Sequence, residues 1–133
     1  MMIRALVKDD IDQIMNFLLA KNEVAWSKKA LKGALEGMLE GSYLAIVGVD
    51  ETTSEVVSYA VASYAFDQAD VQNVVVGQSF RGCGFGRQLL QGLIADLVNR
   101  QVTTVFLEVR QSNQVAISLY QSMGFECIQK RRD

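Results

Sequence analysis

Arg81-Gly82-Cys83-Gly84-Phe85-Gly86-Arg87-Gln88-Leu89-Leu90 joins a strand-like run, Val71 to Val76, to a long amphipathic pattern of helical period. Glycines at 82, 84 and 86 let main chain approach a ligand with no side chain in between. The first N–H groups of a helix lack partners within it and its dipole is positive there, so such a junction suits an anion. Strand, glycine loop and helix together read as a phosphate cradle. The plain alternative is a tight strand-to-helix turn that uses glycine only for packing. Two flanking arginines, Arg81 and Arg87, favour the phosphate reading.

Spacing separates the known kinds of phosphate loop. A P-loop requires Gly-Lys-Ser/Thr, whereas Gly86 is followed by Arg87 and Gln88. The dinucleotide fingerprint G-x-G-x-x-G, started at Gly82, requires glycine where Arg87 stands. The order that fits is Arg-x-x-Gly-x-Gly, carried by Arg81, Gly84 and Gly86.

Composition bounds the rest. A chain of 133 residues, half of them hydrophobic, is long enough for one packed core, so 1–133 reads as one domain. A net charge of −2 leaves no basic footprint for nucleic acid, and Lys130-Arg131-Arg132 reads as a solvated end. No apolar run is long enough to span a membrane, and Met1-Met2-Ile3-Arg4 leads into charged sequence rather than a secretory segment. The cytoplasm is the expected location. Cys83 and Cys127 have neither metal-ligand spacing nor enough company for a disulfide framework, and no metal is expected. Cys83 reads as a small packing residue or an oxidisable thiol. Histidine is absent, which excludes Ser-His and Cys-His couples. Acid–base chemistry then falls to Glu, Asp, Tyr, Lys, Cys or water.

Ile3 to Val7 reads as a strand. Asp9 or Asp10 starts a helix to about Ala20, with Ile11, Ile14, Met15 and Leu18 on its core face. Ser27, after Trp26, caps a second helix to Glu40, in which Gly33, Gly37 and Gly41 mark either close packing or a loosened segment. Tyr43 to Val49 and Glu55 to Phe66 form a hairpin around a polar turn, Asp50 to Ser54. The helix Phe85 to Asn99 presents Leu89, Leu90, Leu93, Ile94, Leu97 and Val98. Thr103 to Arg110 alternates, with Val105, Leu107 and Val109 opposite Phe106, Glu108 and Arg110. Ser112 or Asn113 begins a last helix through Ser122, and Gly124 to Gln129 reads as a final strand. The sum is an α/β domain with parallel and antiparallel pairings in one sheet.

Two segments downstream of the loop carry chemistry. Glu108 lies in Leu107-Glu108-Val109-Arg110, facing away from the apolar side of its strand. Asn113 and Tyr120, two helical turns apart, flank Ala116, which leaves room for something narrow. Taken singly, Glu108 reads as a solvated carboxylate and Tyr120 as a ring packed with its hydroxyl at the rim. Their order is more telling. Arg-x-x-Gly-x-Gly, then Leu-Glu-Val-Arg, then Ser-Asn-x-x-Ala-Ile-x-Leu-Tyr-x-x-x-Gly-Phe resembles the GCN5-related N-acetyltransferase (GNAT) superfamily. Within it the pattern is similar to bacterial enzymes that acetylate the N-terminal alanine of ribosomal protein S18; Trp26-Ser27 and Asp70 fit that branch.

The resemblance implies a GNAT fold: a central mixed, mostly antiparallel sheet flanked by helices, with acetyl-CoA lying where two parallel strands part. Its pantetheine would bond to the backbone of Val74, Val75 and Val76 and contact Asn113. Its pyrophosphate would sit on Arg81, Gly82, Cys83, Gly84, Phe85, Gly86 and Arg87. Glu108 would serve as base toward an incoming protein α-amine, through water, and Tyr120 would donate a proton to the departing CoA thiolate. An α-amine of pKa about 8 is partly neutral at neutral pH, and a Glu of pKa about 4.3 is a poor base for an ammonium. Glu108 would therefore position water and offset developing positive charge as much as remove a proton. Direct transfer is expected, with most of the rate from orienting thioester and amine.

The chain departs from the family pattern in two places. Gly77-Gln78-Ser79 stands where relatives carry an Asp-Pro approach to the loop. Relatives also continue past the position of Asp133 with a tyrosine-rich loop and a last strand beside that of Glu108, so this strand is expected to be missing. The open edge would leave a monomer or a strand-completing homodimer. Acetylation of a small amine, and a CoA-binding module without catalysis, are the competing readings.

Overall fold

A computed structural model describes residues 1–19 and 26–128, without the side chains of 17–19. Its strands are β1 (Met2–Ala5), β2 (Tyr43–Val49), β3 (Val56–Ala65), β4 (Gln68–Val76) and β5 (Thr104–Leu107). Its helices are α1 (Asp10–Leu19), α2 (Lys28–Glu40), α3 (Phe85–Asn99) and α4 (Gln114–Ser122), with one 3-10 turn at Gln78–Phe80. The strands lie in sequence order in a single sheet. β1 to β4 pair antiparallel, and β5 runs parallel to β4. This is the mixed, mostly antiparallel sheet expected from the sequence.

The central strands are covered on both faces, which explains their nearly unbroken apolar runs. Alternate residues of β2 and β3 divide between two cores. Ala45, Val47, Tyr59 and Val61 pack with Ile11 and Ile14 of α1 and Leu31 and Ala34 of α2. Leu44, Ile46, Ala60 and Ala62 pack on the other face with Leu89, Leu90, Leu93 and Leu97 of α3. Each fully buried leucine contributes about 1.5–3 kcal/mol, so α3 is fixed firmly to the sheet. Val98, counted in the same apolar stripe from sequence, instead faces solvent. No helix among the described residues is long and apolar enough to cross a membrane.

Local chemistry sets the ends of the elements. Asp10 is the first residue of α1, and its carboxylate turns backward rather than capping forward. Arg4 donates to both of its oxygens at 2.8 Å, and the Val7 N–H donates at 2.9 Å. β1 accordingly ends at Ala5, short of Val7, because the chain turns to satisfy a carboxylate that is only 2% exposed. Ser27 caps α2 through the Ala30 N–H. The three glycines of α2 have separate roles. A Cβ at Gly37 would lie 2.5 Å from Tyr43 Cδ1, Gly41 ends the helix at φ +78°, and Gly33 has nothing near it. The expected end of α1 at Ala20, the side chain of Leu18 and the Lys130–Arg132 cluster lie outside the described residues.

Two sequence expectations near the C-terminal end are corrected. β5 stops at Leu107 rather than reaching Arg110, because β4 pairs with it only from Gln68↔Thr104 to Val71↔Leu107. Residues 124–128 form no strand, and Gln129 lies outside the described residues. Gly124 adopts φ +98° and the Phe125 N–H returns to the Tyr120 carbonyl at 3.1 Å, which folds the chain back onto α4.

β4 carries a bulge that the sequence reading missed. Val61 faces Asn73, but Ala62 faces Val71, so Gln72 is an extra residue. Buried Asn73, next to the bulge, accepts a hydrogen bond from the Tyr59 hydroxyl, which in turn accepts one from the Trp26 N–H at 2.9 Å. This chain ties the start of α2 to β3 and β4. Burial pushes the Tyr59 pKa up to about 12. A phenol whose pKa is higher folded than unfolded gives stability that is present below about pH 10 and lost as pH rises from there through about 12. Urea titrations should therefore show an alkaline loss that Tyr59→Phe reduces by roughly 2 kcal/mol, even as that variant is weaker at neutral pH.

Candidate functional site

The site begins where β4 and β5 stop pairing. Beyond Val71↔Leu107, β4 continues to Val76 while β5 has ended. The Gly77 N–H donates to the Val57 carbonyl at 2.7 Å, so Gly77, Val75 and Asn73 turn their polar main chain toward β3. By antiparallel alternation, Val74 and Val76 turn theirs to the open side. Of the three valines expected to bind a ligand through main chain, two therefore offer it, and Val75 is committed to the sheet. The Val76 carbonyl accepts from Arg81 Nε at 3.2 Å, which holds that cation at the edge.

The open edge leads into the glycine loop. Gly82 and Gly84 have φ of +81° and +80°, with nothing within 4 Å of where a Cβ would lie. Positive φ is a backbone conformation that glycine adopts without strain, and the open space beside both positions leaves room for a ligand to approach the main chain. Gly84 is the N-cap of α3, and the first intrahelical bond is from the Gln88 N–H to the Gly84 carbonyl at 3.1 Å. Among the described residues, no hydrogen bond engages the main-chain N–H groups from Gly82 to Arg87. Phe80 and Phe85 stack across the base of the loop, with centroids 6.0 Å apart and planes at 18°. Their spacing around the glycines was a signal the sequence reading passed over. Exposed Cys83 makes only a long contact, Sγ to the Arg81 carbonyl at 3.9 Å.

Arg87 stands in the first turn of α3, and its guanidinium reaches across to the Ser122 hydroxyl at the end of α4. Among the described residues no carboxylate pairs with it. A set of unused N–H donors, a helix start and an uncompensated cation fits a diphosphate, and the open β4 edge fits an extended amide-bearing arm.

Glu108 follows the last residue of β5 and is exposed at the mouth of the split. Tyr120 lies on α4, half buried, its ring edge-on to Phe125 at 6.0 Å and packed against the α3 core. Its hydroxyl takes no hydrogen bond among the described residues, and burial raises its pKa. Asn113 is the N-cap of α4, its Oδ1 accepting from the Ala116 N–H at 3.1 Å. Its Oδ1 is thus engaged in holding the helix, while its NH₂ makes no hydrogen bond among the described residues. An open recess of about 420 Å³, lined by Tyr43, Tyr64 and Asp70 among others, lies at the opposite end of β4 from the loop and is separate from this site.

Comparison with known proteins agrees with this geometry. The sequence pattern of the acetyltransferase (GNAT) family matches residues 11–125. The chain belongs to that family. A [ribosomal protein bS18]-alanine N-acetyltransferase from Haemophilus ducreyi is 32% identical over 99% of this chain and 87% of its own length. The enzyme of the same name from Escherichia coli K12 is 41% identical, over 57% of this chain and 51% of its own. The crystal structure of the Escherichia coli ribosomal-protein-S18-alanine N-acetyltransferase superposes with a TM-score of 0.83 at 29% identity, covering 96% of this chain and 79% of that one. Fold and family are those expected from the motif order.

The GNAT loop makes a direct prediction. Gly84→Glu introduces a side chain at positive φ and a negative charge beside N–H donors that fit a diphosphate. CoA binding, measured by calorimetry, should be lost, whereas Gly33→Glu on the open face of α2 should bind CoA normally.

Proposed function

We propose that this GNAT protein transfers the acetyl group of acetyl-CoA directly to the α-amine of a protein N-terminus, the alanine of ribosomal protein bS18 being the first acceptor to test. The observation that carries the reading is the parting of β4 from β5, which opens an unpaired edge running from an anion loop to Glu108. The names of the relatives similar to nearly all of this chain supply the acceptor. A ribosomal-protein acceptor makes the cytoplasm the matching location.

The residues divide the work. The N–H groups of Gly82 to Arg87 and the two arginines hold the diphosphate; Val74, Val76 and the Asn113 NH₂ align the pantetheine arm. Acetyl-CoA supplies an activated thioester. Orientation of that thioester beside the amine gives most of the acceleration. Glu108, exposed beside the split, orders the water that takes the ammonium proton and offsets positive charge as nitrogen acylates. Tyr120 has a raised pKa, while a thiolate has one of about 8.5, so complete proton transfer to sulfur is uphill. Tyr120 acts chiefly as a neutral hydrogen-bond donor that stabilises the leaving thiolate.

Release of CoA thiol from acetyl-CoA, with and without a peptide carrying the acceptor N-terminus, tests this function. Peptide-dependent release is expected. Release only with small amines would reassign the acceptor, and CoA binding without release would leave a binding module. Glu108→Gln should lower kcat roughly 10- to 100-fold with CoA affinity unchanged, at or below the roughly 10²- to 10⁴-fold of a full general base because Glu108 acts through water. Unchanged turnover would remove Glu108 from the chemistry. Tyr120→Phe should lower kcat by a smaller factor, roughly tenfold, because the thiolate leaves without full protonation.

A further inference from the structure

We propose that Ser122 is a positioning residue that couples occupation of the diphosphate loop to the placement of Tyr120, acting through the side chain of Arg87. This rests on the acetyl-CoA reading of the loop and adds a second role to it.

Arg87 faces two ways. Its main-chain N–H is one of the unused donors of the loop, while its guanidinium donates to the Ser122 hydroxyl. Ser122 passes the contact on, its hydroxyl donating to the Leu119 carbonyl at 2.6 Å. Leu119 in turn lies over Gly86, where a Cβ would be 3.7 Å from Leu119 Cδ2 and 3.8 Å from Val76 Cγ2. Loop, β4 edge and the last turn of α4 therefore meet within one small cluster. Tyr120 stands between Leu119 and Ser122 on that turn.

α4 packs at the edge of the α3 core through half-buried Tyr120. None of its residues is fully buried, in contrast to the four leucines of α3. An arginine has five N–H donors in a rigid fork, and among the described residues the Arg87 guanidinium has a neutral partner, Ser122, and no carboxylate paired with it. An anion seated on the loop restrains the guanidinium, and the guanidinium restrains Ser122 and the turn that carries Tyr120. Binding energy from the non-reacting end of the substrate would then appear in kcat rather than only in KM.

The test compares two acetyl donors at saturating acceptor peptide: acetyl-CoA, and acetyl-pantetheine, which lacks the diphosphate. Ser122→Ala should lower kcat with acetyl-CoA by about tenfold and leave kcat with acetyl-pantetheine unchanged, with CoA affinity preserved. Ser122→Thr, which keeps the hydroxyl, should restore the wild-type rate. Combined with Arg87→Gln, Ser122→Ala should cause no further loss, as expected for two members of one linkage. Equal loss with both donors would show a merely structural role and overturn the proposal, as would no loss at all. Hydrogen exchange gives a readout free of turnover. CoA should slow exchange of the α4 amides in the wild-type protein and leave them unslowed in Ser122→Ala; equal slowing in both would also overturn it. A wild-type protein that neither binds CoA nor releases thiol would instead defeat the acetyl-CoA reading itself.

Discussion

In this sheet two parallel strands, β4 and β5, pair for a few residues and then separate, and the polar main chain of Val74 and Val76 is left without a strand partner among the described residues. A sheet ordinarily satisfies such groups, because buried N–H and C=O groups without partners are costly. Here the cost is offset at one point by Arg81, which covers the Val76 carbonyl. The bulge at Gln72 sits one residue past the last β4–β5 pair, so β4 bends away where the pairing ends. The candidate site residues are arranged around that opening. The glycine loop lies beyond its β4 end, Glu108 stands beside it after β5, and α4 adjoins it through Leu119 and Val76.

The two cores keep the opening in place. α3, with four buried leucines, fixes the loop because its first turn is the loop's own end. On the opposite face, Tyr59 joins the start of α2 to Asn73 beside the bulge. α3 is rooted by four fully buried leucines, whereas α4 buries none of its residues fully and packs at the edge of the same core through Tyr120.

Much of this was legible in the sequence because the signals were local. Helix α3 and strand β2 were bounded to the residue, the first by a glycine N-cap and a leucine stripe, the second by unbroken apolar character between Ser42 and Asp50. Ser27 announced its helix as a cap does, and of the two candidates Ser112 and Asn113 the structure uses Asn113. The failures involve partners distant in sequence. β5 ends at Leu107 because β4 departs, which nothing in Thr103 to Arg110 records. The bulge had only a faint sign, the polar pair Gln72-Asn73 within a valine run. Gly124 to Ile128 alternates like a strand but finds no strand partner among the described residues, and the Tyr120 carbonyl takes the Phe125 N–H instead. Arg87 was read only as a phosphate ligand, since no local pattern could announce that its side chain crosses to Ser122.

The central claim is that the unpaired β4 edge and the loop after it form one continuous binding surface. Amide chemical-shift mapping by NMR, as CoA is titrated into the labelled protein, tests it most directly. The amides of Val74, Val76 and Gly82 to Arg87 should shift together with one affinity, while Val75 and the β1–β2 pair stay nearly still. Shifts centred on the recess near Tyr43 and Asp70, or a loop response without Val74 and Val76, would contradict it.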